Sequence, residues 1–174
     1  MNIKFNYIIL FGIPGFILLI FFLGLNTNNK YDTRELVGNQ INNFKLIDIY
    51  ENKTITNLDL KENNFTLINF WASWCSPCRA EHKYLMDLKS QTDLRIVGIN
   101  FKDKEINAKN YLKELNNPYY FLAKDINGKI SIKFGIYGIP ESILVDRNLK
   151  IIKKYIGPIN EKDFNEIIKI VTKL

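Results

Sequence analysis

The chain has 174 residues, of which 47% are hydrophobic and 13% aromatic, enough for the core of a single domain. Its net charge of +6 comes from 24 basic and 18 acidic residues spread along the chain without a dense basic block, which argues against a nucleic-acid-binding surface. Two neighbouring cysteines and one histidine exclude a framework of long-range disulfides and supply too few ligands for a closed structural zinc site.

The N-terminal segment predicts a membrane anchor. The run Tyr7–Leu25 contains no charged residue, and about 20 apolar residues in a helix cross the hydrocarbon core of a bilayer. The run ends in Gly24–Asn29, which lacks the small-x-small pattern of a signal-peptide cleavage site, so we expect residues 1–25 to remain as an uncleaved transmembrane helix. Residues 26–40 are polar and lack periodicity, which predicts a tether to a domain at 41–174.

Apolar runs alternate with helical patterns beyond the tether, which predicts an α/β fold. The predicted elements are, in chain order, strands at 44–49, 53–56 and 65–70, a helix at 77–91, a strand at 94–101, a helix with apolar positions Ala108, Tyr111, Leu112 and Leu115, strands at 142–145 and 150–156, and a last helix after Asn160. The last two strands are separated by so short a turn that they must pair as an antiparallel hairpin. Asn160 is well placed to cap the first turn of the last helix.

The two cysteines follow the apolar strand 65–70 at the start of the next helix. This junction places Cys75 at a helix N-terminus, where unpaired backbone amides and the helix dipole favour a thiolate. We therefore expect Cys75 to attack a disulfide of a partner and form a mixed disulfide, and Cys78, one helical turn later, to resolve it. Pro77 lies in the first turn, where its missing N–H costs nothing.

Other uses of the cysteine pair have less support from the residues. The alternatives are two ordinary buried thiols or half of a metal site, since His82 completes a Cys-x-x-Cys-x-x-x-His string. No second cluster of Cys or His completes a tetrahedral site, and covalent haem attachment requires a histidine where Arg79 stands. The residues alone thus indicate thiol-disulfide exchange of unspecified direction, with no metal and no bound cofactor.

Two motifs carry a resemblance to a known family. The stretch WASWCSPCRAEHKYL at 71–85 and the stretch GIYGIPES at 135–142 are similar to segments of the CcmG/DsbE family, the membrane-anchored thiol:disulfide interchange proteins of cytochrome c biogenesis. Residues 116–119 match a further run of that family, and the likeness extends over residues 36–172. The resemblance implies a thioredoxin-like fold, in which a central mixed sheet is flanked by helices and preceded by one transmembrane helix.

The resemblance also implies roles for residues beyond the cysteines. Pro140 is expected to be cis and to lie beside the cysteine pair, which leaves the backbone at Ile139 free to pair with an extended substrate segment. Glu141 and Glu81 correspond to acidic residues near the family's active site, where they tune thiol pKa values or assist proton transfer when Cys78 attacks. The alternative for Glu81 is an exposed charge on the helix.

One position departs from the general thioredoxin pattern. Thioredoxins carry a buried aspartate in the strand before the active-site tryptophan, where this sequence has Asn69. Because an asparagine does not exchange protons, any acid–base role moves to the two glutamates. Trp71, Trp74 and Tyr137 are expected to flank the thiols at the surface, with a place in the core as the alternative for Trp71.

The function implied by the resemblance is that of a dithiol reductase that keeps the haem-binding cysteines of apocytochrome c, or of a haem-attachment partner, reduced. The implied location is the bacterial inner membrane, with the catalytic domain facing the periplasm and with an integral-membrane electron donor of the DsbD/CcdA type. Two alternatives stay open. The first is a general extracytoplasmic thiol reductase or disulfide oxidase of the same fold, and the second is a noncatalytic module that binds apocytochrome or metal.

Overall fold

The computed structural model of the protein describes residues 3–25 and 36–173. Two compact units are present, one containing helix α1 (Ile3–Leu25) and the other containing residues 36–173. The described side chains of α1, from Leu10 to Leu25, are exposed and mostly apolar. Among the described residues, no helix combines the length and the apolar character needed to cross a membrane, so the predicted anchor stays a prediction.

The larger unit is built from seven strands and four helices within residues 36–173. The strands are β1 (Lys45–Asp48), β2 (Thr54–Thr56), β3 (Phe65–Trp71), β4 (Arg95–Phe101), β5 (Phe121–Asp125), β6 (Glu141–Asp146) and β7 (Ile151–Ile156). The helices are α2 (Ser76–Gln91), α3 (Glu105–Leu115), α4 (Lys129–Lys133) and α5 (Glu161–Val171), and a short 3-10 helix spans Asp59–Glu62.

All seven strands belong to one sheet in the order β2-β1-β5-β4-β3-β6-β7. β4 is parallel to both β3 and β5, whereas β6 is antiparallel to β3 and to β7, so the sheet is mixed as expected. Successive residues of β3 point to opposite faces: Leu67 joins a core cluster with α2, α3 and α5, and Ile68 joins a second cluster with α4. Because both faces are covered, the central strands read as continuous apolar runs.

Most predicted elements are confirmed, including the β6–β7 hairpin and the cap of α5. The Asn160 side chain accepts hydrogen bonds from the N–H groups of Lys162 and Asp163 in a capping box. Three elements were not predicted: the 3-10 helix Asp59–Glu62, and β5 and α4, each of five residues. β5 owes its place to pairing with β4 and β1, which are distant in sequence. α4 makes little more than one helical turn, too short for a periodic pattern.

The segment before β1 is attached to an edge of the sheet. Positions 26–35 of the predicted tether lie outside the described residues. From residue 36 onward the chain contacts β7: Gly38 N–H donates to Ile151 O at 2.8 Å, and Ile151 N–H donates to Asn39 O at 2.8 Å. Gln40 forms an isolated bridge with Lys150. Hydrogen-bonded structure therefore begins before residue 41.

The Tyr119 ring is clamped between two strands. It stacks on Trp71 with 5.4 Å between ring centroids, and its hydroxyl donates a 2.8 Å hydrogen bond to Asn69 Oδ1. Gly98 of β4 also lies against this ring, and a Cβ there would stand 2.8 Å from it. This distance is well inside van der Waals contact, so the position requires glycine for its lack of a side chain.

We expect Gly98→Ala to lower the free energy of unfolding by about 1–3 kcal/mol, because the ring that the new methyl meets is held by Trp71 and by the hydrogen bond to Asn69. Urea denaturation followed by tryptophan fluorescence measures this. Gly138→Ala is the matched control, since a Cβ there has no atom within 4 Å. Equal unfolding midpoints for the two variants would contradict the clamp.

Candidate active site

Cys75 and Cys78 form a disulfide at the start of α2. The S–S distance is 2.06 Å and the Cα atoms are 5.3 Å apart. Cys75 is the N-cap residue of α2, and its Sγ accepts a hydrogen bond from Cys78 N–H at 3.2 Å. Both residues are almost fully buried, at 5% and 2% exposure. The pair thus lies at the positive end of the helix dipole, as predicted, with Cys75 next to the unpaired amides.

The turn that leads from β3 to Cys75 is held by the end of β4. Ser73 N–H donates to Asp103 Oδ2 at 2.6 Å, and the Ser73 hydroxyl donates to Asp103 Oδ1 at 3.0 Å. The Trp74 indole donates to Lys102 O at 3.3 Å while 60% of Trp74 stays exposed. Asp103 was not predicted, although a carboxylate shortly after a parallel strand is a usable signal for it.

The three aromatic residues expected around the thiols differ in burial. Trp71 is 1% exposed and packs between Tyr111 and Tyr119, so its alternative place in the core is confirmed. Trp74 and Tyr137 are exposed, at 60% and 67%. Each of these two exposed residues lies within one of the two motifs, Trp74 directly before Cys75 and Tyr137 three residues before Pro140.

Pro140 lies at the strand end from which the cysteine loop departs. The Ile139–Pro140 bond is cis, as the resemblance implies. Glu141, the next residue, pairs with Phe70 in the antiparallel β3–β6 register. Pro140 is therefore at the level of Trp71, the last residue of β3. Pro140 O accepts a hydrogen bond from Gly157 N–H at 3.0 Å. Within the described residues, neither the N–H nor the carbonyl of Ile139 makes a hydrogen bond, which leaves both available to a bound segment.

Glu81 is buried, so its alternative reading as an exposed charge on the helix is wrong. It is 1% exposed, on the side of α2 that faces the sheet. Its Oε1 accepts from the Asn69 amide at 2.8 Å, and its Oε2 accepts from Ile159 N–H at 2.8 Å. Burial raises the pKa of Glu81 to about 7, and these two hydrogen bonds only partly offset that effect. The site therefore contains a carboxyl group that titrates near neutral pH.

Asn69 is oriented by its neighbours on both sides. The hydroxyl of Tyr119 occupies Asn69 Oδ1, so the amide nitrogen points the other way. It donates to Glu81 Oε1 and to the Ser142 hydroxyl, at 2.8 and 3.0 Å. Asn69, Tyr119 and Ser142 are all buried. In place of the aspartate of general thioredoxins, this chain thus has a neutral amide that holds a glutamate.

Glu141 has a different environment from Glu81. It is 5% exposed at the start of β6, and Lys154 Nζ lies 2.8 Å from its Oε2. That contact is an ion pair. Its geometry does not meet the criteria for a hydrogen bond, so Oε2 is compensated by the charge of Lys154 alone. Its Oε1 accepts from the N–H groups of Tyr137 and Gly138, at 3.3 and 3.2 Å. The burial of Lys154 was not predicted, because nothing local marks a lysine in a strand as buried.

His82 contacts the end of α3. Its Nε2 lies 3.2 Å from Leu115 O and 3.0 Å from Asn116 O, and since carbonyls only accept, this nitrogen carries the proton. Burial lowers the pKa of His82. Across the described residues, no group of three or more His, Cys, Asp or Glu side chains is arranged to hold a metal ion.

The comparisons with known proteins agree on one family. The Redoxin family model matches residues 36–169. The thiol:disulfide interchange protein DsbE of Haemophilus influenzae is 39% identical over 134 residues, which are 77% of this chain and 74% of that protein. The thiol:disulfide interchange protein HelX of Rhodobacter capsulatus is 36% identical over 126 residues, which are 72% of this chain and 71% of that one.

Solved structures share the fold. A thiol:disulfide interchange protein from Bacteroides sp. superposes with a TM-score of 0.65 at 25% identity, covering 78% of this chain and 90% of that one. A thioredoxin family thiol:disulfide interchange protein from Chlorobium tepidum gives a TM-score of 0.63 at 25% identity, covering 76% and 94%. The thioredoxin-like fold and the resemblance to DsbE proteins are both confirmed. The chain therefore belongs to the Redoxin family and is a thiol:disulfide oxidoreductase related to the DsbE and HelX proteins.

Proposed function

We propose that the protein is a dithiol reductase of cytochrome c maturation. It donates two electrons to a disulfide between haem-binding cysteines of apocytochrome c, or to one in a haem-attachment partner, and so keeps those cysteines reduced. The observation that carries the proposal is the pairing of Cys75 with Cys78 at the start of α2, with the buried carboxyl of Glu81 three residues further on. The direction of electron flow and the substrate rest on the resemblance to the CcmG/DsbE family.

The reaction consists of two displacements at sulfur. In the reduced protein the Cys75 thiolate, favoured by the helix N-terminus, attacks one sulfur of the substrate disulfide, and the other substrate sulfur leaves as a thiolate. Cys78 then loses its proton and attacks the Cys75 sulfur, which releases the second substrate sulfur. The substrate leaves as a dithiol, and the protein, having given up two electrons, closes the Cys75–Cys78 disulfide.

Glu81 is the proposed acceptor of the Cys78 proton. Residues three apart lie on the same side of a helix, which places Glu81 one turn from Cys78. A general base works best when its pKa lies near the working pH, and the pKa of Glu81 is about 7. Its hydrogen-bond partners, Asn69 and Ile159, are neutral donors, so its charge is free to change during the cycle.

The loop that ends at Pro140 and Glu141 forms the substrate side of the proposed site. An extended substrate segment that pairs with the backbone of Ile139 brings its disulfide to Cys75, a form of strand addition. This arrangement uses an N–H and a carbonyl that make no hydrogen bond within the described part of the chain.

The proposed location is the bacterial inner membrane. Residues 1–25 are the anchor, 26–40 the tether and 41–174 the domain that faces the periplasm. The uncharged run Tyr7–Leu25 supports the anchor, and a disulfide-forming pair suits an oxidising compartment. Each cycle ends with the protein oxidised, so an integral-membrane donor of the DsbD/CcdA type reduces it again. Anchoring raises the effective concentration of the two proteins.

Cys78→Ala is expected to accumulate mixed disulfides with its substrate, because Cys75 still attacks and nothing releases the product. Cys75→Ala, the matched variant, is expected to accumulate none. The measurement is a nonreducing gel of each variant incubated with oxidised apocytochrome c, followed by identification of the adducts. Equal behaviour of the two variants would favour a noncatalytic binding module.

Glu81→Gln is expected to slow the Cys78 step by about 100-fold at neutral pH, because the glutamine accepts no proton. In the unmodified protein the rate of this step rises with pH as Glu81 ionises and levels off above its pKa of about 7. The variant loses that inflection. Decay of a preformed mixed disulfide, followed by rapid mixing across a pH series, measures both quantities. An unchanged pH profile in the variant would remove Glu81 from proton transfer.

The pH dependence of the free energy of unfolding of the oxidised protein tests the raised pKa of Glu81 independently of activity. The pKa of Glu81 rises from 4.5 to about 7 on folding, so its contribution to stability is complete below pH 4.5 and is lost as pH rises through 7. Over that window the free energy of unfolding falls by about 3 kcal/mol through Glu81. Urea denaturation at several pH values is expected to show this fall in the unmodified protein and its absence in Glu81→Gln.

Deletion of residues 1–25 is expected to move the protein from the membrane fraction to the soluble fraction, because the uncharged run is lost. Its rate with a small disulfide in solution should not change. Fractionation of cells that express the full-length and shortened chains measures the distribution. Retention of the shortened chain in membranes would refute the anchor.

A further inference from the structure

Lys154 is a buried cation next to the loop of residues 135–141, which contains Pro140 and is called the proline loop below. Its side chain is 0% exposed, and the Glu141 side chain is 6% exposed. Lys154 Nζ lies 2.8 Å from Glu141 Oε2 and donates a 2.6 Å hydrogen bond to Gly135 O. Lysine is almost never fully buried without a partner, so the two oxygens account for its position.

The register of the sheet explains how Lys154 reaches Glu141. In the β6–β7 pair, Lys154 lies opposite Ile143. Glu141 precedes Ile143 by two residues and therefore points to the same face of the sheet. Diagonal neighbours on one face are within reach of long side chains. The register of the β6–β7 hairpin thus brings the two charged side chains together.

The ion pair holds the proline loop at three of its residues. Lys154 binds the carbonyl of Gly135, where the loop begins, and Glu141 accepts hydrogen bonds from the N–H groups of Tyr137 and Gly138. Gly135 itself has a φ of +66°, and a Cβ there would stand 2.8 Å from Leu36. Lys154 and Glu141, which form one ion pair, therefore fix the path of the loop between Gly135 and Glu141 through hydrogen bonds to its backbone.

The part of the loop that these contacts leave open is Ile139. Its N–H and carbonyl make no hydrogen bond in the described part of the chain, while the following carbonyl, that of Pro140, accepts from Gly157 N–H. A backbone group offered to a partner strand is effective only when the chain around it is held in one path, since a preorganised group loses less freedom on binding.

We propose that Lys154 is a positioning residue for protein substrates. Through its buried ion pair with Glu141 and its hydrogen bond to Gly135, it holds the loop in the path that offers Ile139 to an extended polypeptide. This inference rests on the proposed strand-addition role of Ile139. Lys154 touches neither the sulfurs nor the substrate, and its effect is confined to substrates with a polypeptide segment to bind. A small disulfide needs only Cys75.

Lys154→Met is expected to lower kcat/KM for a short synthetic peptide that contains one disulfide by about 10-fold to 100-fold, mainly through KM, since misplacing a binding group by about 1 Å costs this much. The rate with a small aromatic disulfide should stay within about twofold. Lys153→Met is the matched control, because the neighbouring Lys153 is 42% exposed and pairs with Glu166 on the other face. Equal losses on both disulfides, or a peptide KM unchanged in Lys154→Met, would overturn the proposal.

A second variant separates positioning from folding. Lys154→Met leaves Glu141 as an unpaired buried charge, which destabilises a fold. The double change Glu141→Gln with Lys154→Met removes both charges, and thermal unfolding shows whether it folds like the unmodified protein. It still lacks the contact to Gly135, so its peptide KM is expected to stay raised. A double variant with an ordinary peptide KM would overturn the proposal.

The same assay distinguishes this inference from the proposed function. The full-length protein is also given an oxidised peptide with the Cys-x-x-Cys-His sequence of apocytochromes. If the unmodified protein reduces the simple peptide but not the apocytochrome peptide, the proposed substrate is wrong, whereas the loss of peptide reduction in Lys154→Met still supports positioning by Lys154.

Discussion

The hydrogen bond from Asn69 to Glu81 is the contact on which the rest of the site depends. It fastens the first turns of α2 to the central strand of the sheet, at a depth from which water is excluded. Residues outside this strand orient the amide, because Tyr119 and Ser142 occupy its other hydrogen-bonding positions. The start of the helix, and with it Cys75, is therefore located by a neutral polar network inside an otherwise apolar core. Such a network is stable only when every member is satisfied.

The two buried glutamates of the site illustrate how partners decide what a carboxyl group can do. Glu141 faces the ammonium group of Lys154, and this ion pair ties it to one structural arrangement. Glu81 faces only neutral donors, so burial dominates and the pKa of the carboxyl moves toward neutrality. The same residue type thus forms a structural ion pair in one place and titrates near neutral pH in the other. The partners differ in that a lysine ammonium contacts Glu141, whereas an amide and a backbone N–H contact Glu81.

Much of this arrangement follows from local sequence patterns. The cysteine spacing, the apolar run of β3 and the cap at Asn160 are local, and each predicted its structure correctly. Lys154 and β5 were missed because their roles arise from pairing between distant segments: Lys154 is buried only because β7 folds against β6, and β5 forms between strands supplied by other parts of the chain. The burial of Glu81 was open between two readings, since helix periodicity alone does not say how deep a face lies.

The short segment attached to β7 has a consequence for the behaviour of the molecule in solution. An edge strand presents unpaired N–H and carbonyl groups that can template association with another chain. Gly38 and Asn39 occupy those of Ile151, so one end of this edge is already covered from within the same chain. A polypeptide that starts at residue 41 keeps every residue of the redox site but uncovers this end. Recombinant domains trimmed there gain a surface for edge-to-edge aggregation that the longer chain lacks.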